Sequence, residues 1–353
     1  MLSKKPYIVL SLSIFVMLMG CIENQTNQEE RTDLIIYNWA DYLGPDDTLL
    51  ENFEEKYNVN ISVLLFDDEE SMIVSLQSNP TKYDLIVTSD SIIHDLIASK
   101  GLAPLNKEHI PNIDNLDPNY LNLKYDPDNL YSIPYFYGTT GIAYNTSVFD
   151  KEIDSWEVLF DNNYSNNITM LNNQYEVIGA VLKYLGYSLN EDNITHLAEA
   201  ESIILEQKDI IQGYETSYAI EKKLINGEVA IAHLYVGEAS KAAEENEDIS
   251  YIIPKEGAPI WIDSFAIPAG AQHKKNAELF INYMLDAQVS AEIINYQWTA
   301  SPNLEALKLV DEEILNDPWI FPSEDITQKC EYFESLEGII VNEYNRIWSE
   351  LQR

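Results

Sequence analysis

The sequence predicts an α/β fold, and three observations carry that expectation. Short apolar runs rich in branched side chains alternate with stretches of helical period, first over residues 34–101 and again over 155–351. Polar-aromatic clusters recur just past the ends of the predicted strands. At 353 residues the chain outgrows one small core and fits two domains or one large one.

Leu34, Ile35, Ile36 and Tyr37 form a run suited to a strand buried on both faces of a parallel sheet. It closes on Trp39, Asp41 and Tyr42, before Gly44-Pro45 breaks the chain. Leu49, Leu50, Phe53 and Tyr57 then share a helical face, and residues 60–66 follow as a strand. Met72, Ile73 and Leu76 make the next helical stripe, and residues 83–87 the next buried strand. Asp90 or Ser91 can cap the helix that carries Ile92, Ile93, Leu96 and Ile97, and Gly101 stops it. This order predicts a parallel sheet with helices on both faces.

Between Pro104 and Pro134 turn signals replace periodicity. Residues 132–145 are extended, with Gly138 and Gly141 at their centre, and either cross between two lobes or form a hairpin. A second α/β set follows. Its helices are expected at 155–160, 176–185, 195–207, from 235 towards 246, 277–285 and 336–351. Its strands are expected at 168–171, 229–234, 249–253 and 261–267.

Fifty-nine Asp and Glu against 21 Lys and Arg give a formal net charge of −38, which argues against nucleic acid as a partner. The charge suits either capture of cations or a solvated acidic surface. At the N-terminus, Lys4 and Lys5 precede an apolar run over 7–19 that ends at Gly20-Cys21. That is a secretory signal over residues 1–20, too short to span a bilayer, so the protein is expected to be exported. Leu18-Met19-Gly20-Cys21 resembles a lipobox, which implies lipidation of Cys21, with residues 21–33 as tether to the membrane. With Cys21 acylated, Cys330 has no partner for a disulfide.

No Gly-rich phosphate loop, Gly-x-Ser-x-Gly elbow or His-Glu-x-x-His helix occurs, and the five histidines lack ligand spacing. No enzyme activity, metal or cofactor is therefore expected, although a carboxylate-pair hydrolase stays open among so many acids. The strand-end clusters point elsewhere. Trp39-Ala40-Asp41-Tyr42, Ser89-Asp90-Ser91, Asn173-Gln174-Tyr175-Glu176, Tyr235-Val236-Gly237-Glu238 and Trp261-Ile262-Asp263-Ser264 combine carboxylates with aromatic faces. Open α/β sheets bind ligands at strand ends, and this mixture suits an organic cation.

The chain resembles the spermidine/putrescine-binding proteins of polyamine ABC importers. The resemblance rests on Tyr37-Asn38-Trp39, Tyr83-Asp84-Leu85-Ile86-Val87, Asp117-Pro118, Tyr131-Ser132-Ile133-Pro134-Tyr135, Leu185-Gly186-Tyr187-Ser188 and Trp261-Ile262-Asp263-Ser264. It implies a two-lobed periplasmic-binding-protein fold, each lobe a sheet flanked by helices, with the ligand in the cleft between them. Residues 34–135 and 264–310 would form one lobe, and 136–263 and 311–353 the other. The implied partners are a polyamine (putrescine or spermidine) and the importer's permease subunits, in the periplasm or at the outer face of the cytoplasmic membrane. The same fold holding another organic cation is the nearest alternative.

Carried over residue by residue, the resemblance assigns Trp39, Asp41, Tyr42, Ser89, Ser91, Glu176, Trp261 and Asp263 to ligand binding. Asn173 stands where an acid is expected, and Tyr235 replaces a tryptophan. Glu238 falls on a position that is acidic in putrescine-type members. Tyr296 and Glu331 complete the expected set. The charge missing at Asn173 and the acid gained at Glu238 together favour a diamine at least as much as a triamine.

Overall fold

In the computed structural model the described residues are 31–352, apart from Ala40, Asp41, Pro45, Asp67, Asp68, Asp150, Lys151, Ser335 and Glu337. The expected signal segment, Cys21 and most of the tether lie outside them, as does Asp41.

Strand β1 (Thr32–Trp39) buries Leu34, Ile36 and Tyr37, as its apolar run requires. It lies parallel to β2 (Val59–Phe66) on one side and β3 (Leu85–Ser89) on the other. Helices α1 (Thr48–Tyr57), α2 (Glu69–Ser78) and α3 (Asp90–Ala98) alternate with these strands in the expected order. Strand β3 starts later than expected because Asp84 leaves the strand pattern. Its buried carboxylate accepts from the backbone N–H groups of Ile35, Gln272 and His273.

Strand β4 (Ser132–Asn145) crosses the molecule and is not a hairpin. In the second half of the chain, β5 (Ile168–Leu171), α4 (Gln174–Tyr184), α5 (Ile194–Gln207), β6 (Ile211–Glu215) and α6 (Ser217–Ile225) follow. Then come β7 (Ile231–Tyr235), α7 (Val236–Glu245), β8 (Ile249–Ile252) and β9 (Pro259–Ala266). Helices α8 (Lys274–Met284), α9 (Ala287–Gln297), α10 (Leu304–Leu307), α11 (Glu312–Leu315) and α12 (Glu324–Thr327) lead to β10 (Glu331–Tyr332) and α13 (Ile339–Leu351). The sheet order is β2-β1-β3-β9-β4-β7-β5-β6, with β10 beside β9 and β8 beside β4. Strand β9 is antiparallel to both β3 and β4, so the parallel expectation holds for β1–β3 and not for the whole sheet.

Each half of this sheet is covered on both faces. Leu34, Phe53, Phe280 and Ile294 anchor one side of the first half, and Tyr37, Met72, Tyr83 and Ile93 the other. Trp156, Val177, Ile204 and Tyr344 anchor one side of the second half, and Ile220, Leu224, Val236 and Tyr251 the other. Each such fully buried side chain contributes roughly 1.5–3 kcal/mol, so both halves have cores able to fold around their own strands.

The packing does not change sides at residue 311. Ile314 and Ile320 belong to the first core, whereas Tyr344, Ile347 and Leu351 belong to the second. Strand β6 and helix α6 went unforeseen because Gly213 interrupts a weak alternation; a Thr216 cap, accepting from the Ala219 N–H, starts the helix. Among the described residues no helix is long and apolar enough to cross a membrane.

Candidate functional site

The strand ends meet around β9. Asp263 faces Ser89 of β3 across one ladder and Phe136 of β4 across the other. The Tyr42 hydroxyl donates to Asp263 Oδ2 at 2.6 Å, and the Tyr135 hydroxyl donates to the Tyr42 carbonyl at 2.9 Å. Asp263 is 6% exposed. Burial pushes its carboxyl up to about 7; the Tyr42 bond pulls it down, and the charges of Glu69 and Glu238 push it further up. Burial, the Asp263 charge and the hydrogen bond to Asp263 drive the Tyr42 phenol well above its ordinary range, so it remains a donor.

Across β4, Asn173 caps α4 by accepting from the N–H groups of Tyr175 and Glu176. That cap places Glu176, 4% exposed, in the first turn of the helix. Its Oε1 accepts from Thr140 Oγ1 at 2.9 Å. Burial raises Glu176 to about 8, the Thr140 bond opposes this, and the Glu69 charge adds to it. His233 lies 3.8 Å from Glu176 Oε2 but supplies no countercharge, because burial holds the imidazole down at about 3. Neither Asp263 nor Glu176 has a lysine or arginine partner among the described residues.

Tyr235, at the end of β7, carries a phenol raised by burial and by the charges of Glu176, Glu69 and Glu238, with the nearby Asn173 side chain opposing the rise. Glu238, one turn into α7, is raised by burial, while Lys241 and the Ser217 hydroxyl at 3.2 Å draw it back. The rings of Tyr235 and Trp261 meet edge to face at 6.2 Å. Trp39 ends β1 against Phe66, with ring centroids 4.3 Å apart. The Ser89 and Ser91 hydroxyls share a hydrogen bond of 3.0 Å. Several buried polar atoms in this region have no hydrogen-bond partner among the described residues, among them Trp39 Nε1, Trp261 Nε1, Glu176 Oε2 and Asp90 Oδ2.

The structure thus gathers Trp39, Tyr42, Ser89, Ser91, Asn173, Glu176, Tyr235 and Glu238 at neighbouring strand and helix ends, with Trp261 and Asp263 inside β9 rather than at its end. Of the remaining two expected residues, Tyr296 lies at a recess shared with α7, and Glu331 is held by an ion pair. Tyr296 is 45% exposed and lines a surface recess with Lys241, Glu244, Gln297 and Trp298. Glu331 pairs with Lys183 Nζ at 2.7 Å and also accepts from Ser188. Burial raises the Glu331 carboxyl, but these partners outweigh it and hold the group below its ordinary range.

One acid was missed, and another was read only as part of a cluster and a helix cap. Glu69 starts α2 and accepts from Thr88 Oγ1 at 3.0 Å and from the Ser89 N–H at 3.1 Å. Asp90, 3% exposed, starts α3, and its carboxyl is raised well above normal by burial, with Asp263 and Glu69 adding. Both sit where a parallel strand ends and a helix begins, in Asp67-Asp68-Glu69-Glu70 and Ser89-Asp90-Ser91. The strand-end rule applied to β2 would have found Glu69. Among the described residues no group of His, Cys, Asp and Glu is arranged to hold a metal ion.

Known proteins share this architecture. Residues 48–322 match the model of a family described as bacterial extracellular solute-binding protein. The chain is 31% identical over 343 residues to the putrescine-binding periplasmic protein PotF of Escherichia coli, covering 92% of each. It is 32% identical over 303 residues to the spermidine/putrescine-binding periplasmic protein of Salmonella typhimurium, covering 85% of this chain and 86% of that one. The solved structure of the spermidine/putrescine ABC transporter substrate-binding protein PotD from Streptococcus pneumoniae superposes with a TM-score of 0.81. It is 31% identical, with 91% of this chain and 98% of that one covered. The fold is therefore the two-lobed periplasmic-binding-protein fold that the sequence led us to expect. The chain belongs to the bacterial extracellular solute-binding protein family.

Proposed function

We propose that the protein captures polyamines outside the cytoplasm and delivers them to the permease subunits of an ABC importer, binding its ligand without transforming it. One observation carries this reading: Asp263 and Glu176 are buried acids without lysine or arginine partners among the described residues, one on the strand of Trp261 and the other close enough for its charge to act on Tyr235. A buried carboxylate without a partner costs several kcal/mol, and a ligand ammonium removes that cost. The rings cover the methylenes between ammonium groups, at roughly 0.8 kcal/mol per CH₂. The ligands named for the relatives, putrescine and spermidine, point the same way.

On this reading β4 and β9 are the hinge strands, and the lobes close on the amine. Residues 34–135 with 264–310 would move as one lobe against 136–263 with 311–353, the segment around residues 314–320 touching both cores through Ile314, Ile320 and Trp319. Export by the N-terminal signal and a lipid on Cys21 would hold the protein at the outer face of the membrane. Nucleic acid is no partner of a chain with net charge −38.

Thermal unfolding against a panel of amines tests the proposal. Putrescine or spermidine at about a hundred times Kd should add about 2.7 kcal/mol, while butanediol and butylamine should add far less. Stabilisation by a different organic cation alone would assign this fold another ligand. No stabilisation by any amine, with turnover of a glycoside, would establish the carboxylate-pair hydrolase instead.

A further inference from the structure

Asn173 leaves one acid fewer on the second half of the sheet than the resemblance leads one to expect. The same position is occupied in a useful way: the Asn173 side chain caps α4 through the Tyr175 and Glu176 N–H groups. An acid that answers this loss stands on the other half. The Glu69 carboxylate is fixed by Thr88 Oγ1 and by the Ser89 N–H, two donors from the end of β3. Ser89 is the ladder partner of Asp263, so the Glu69 carboxylate is held at the end of the strand that lies beside the one carrying Asp263. Its charge also reaches Glu176, Tyr235 and Tyr175, which all belong to the second half of the sheet.

We propose that Glu69 is a specificity-determining acid which supplies the charge that Asn173 lacks, and that it meets the ammonium a triamine has and a diamine does not. The assignment rests on the polyamine reading above and deepens it. Asp263 on one side and Glu176 with Glu238 on the other suffice for the two ammonium groups of a diamine. A third ammonium brought into the same site would carry its full desolvation cost unless a further carboxylate met it. Glu69 is half-buried, preorganised by two donors and placed towards both sets of acids, as such a partner must be. Of the two grounds for a diamine preference, the charge missing at Asn173 is thereby answered, and only the acid at Glu238 still stands. The acid has changed lobes.

The test is calorimetry with putrescine and spermidine, at one pH and salt, on wild type, Glu69→Gln and Glu69→Gln/Asn173→Asp. Glutamine keeps the acceptor used by Thr88 and Ser89, and aspartate keeps the helix cap. Glu69→Gln should weaken spermidine tenfold or more and leave putrescine within twofold of wild type. Adding Asn173→Asp should return most of the lost spermidine affinity. An equal loss for both amines, no loss for spermidine, or no recovery in the double variant overturns the assignment. If wild type binds neither amine, the polyamine reading itself has failed. If wild type binds both and the variants match it, only the role of Glu69 has.

Discussion

A Cβ on Gly138 would lie 2.3 Å from Cζ2 of Trp261, because the indole occupies the space beside the β4 backbone that any side chain would need. Gly138 is the ladder partner of Trp261, at the centre of the crossing strand. Glycine is required here for close approach rather than for an unusual backbone angle. Gly138→Ala should therefore displace the ring, cost about 1–3 kcal/mol in stability and weaken amine binding at least tenfold. Indole fluorescence and calorimetry on the folded variant check both effects. Wild-type affinity with unchanged fluorescence would refute the placement of Trp261 as a ligand wall.

Asp263→Asn keeps the shape of the side chain and an acceptor for the Tyr42 hydroxyl, and removes the charge. Tight amine binding should be lost. The ligand-free variant should be at least as stable as wild type at pH 8, since it no longer ionises a buried carboxyl that prefers its proton up to about pH 7. A variant that binds putrescine normally removes Asp263 from the site.

Ligand capture should release protons. Glu176 and Asp263 have native-state values raised to about 8 and about 7, above those of the unfolded chain. The ligand-free protein therefore holds protons that the unfolded chain has lost, and these two groups make its stability fall as pH rises from about 4 to 8. Amine binding requires the ionised forms. Affinity should rise from pH 6 to pH 8, with about one proton released per amine at pH 7. Calorimetry in buffers of different ionisation enthalpy measures that number, and a value of zero would show that the acids are already ionised.

Glu331 should matter to folding and little to binding. Lys183 is buried and its ammonium meets Glu331, which is 30% exposed. Glu331→Gln should cost about 1–3 kcal/mol, less than a fully buried pair because solvent screens one partner. Putrescine affinity should stay within threefold. A tenfold loss of affinity without loss of stability would return Glu331 to the ligand site.

The sequence by itself determined the periodic elements and the chemistry at their ends. Leu34–Tyr37 had to be a buried strand, and Trp261-Ile262-Asp263 had to put an indole and a carboxylate on one face two residues apart, although the two fall inside β9 and not at its end as expected. Tertiary structure decided which of those ends converge. Glu331 looked like a binding acid until the fold brought it to Lys183, about 150 residues earlier in the chain. Glu69 looked like one acid in a run of four until Thr88 and Ser89 fixed it beside the Asp263 ladder. The reversal of β9 against β3 and β4 was equally invisible, since strand direction leaves no mark on an apolar run. Periodicity is a property of neighbours along the chain, whereas the partner that neutralises a carboxylate is chosen by distance in space.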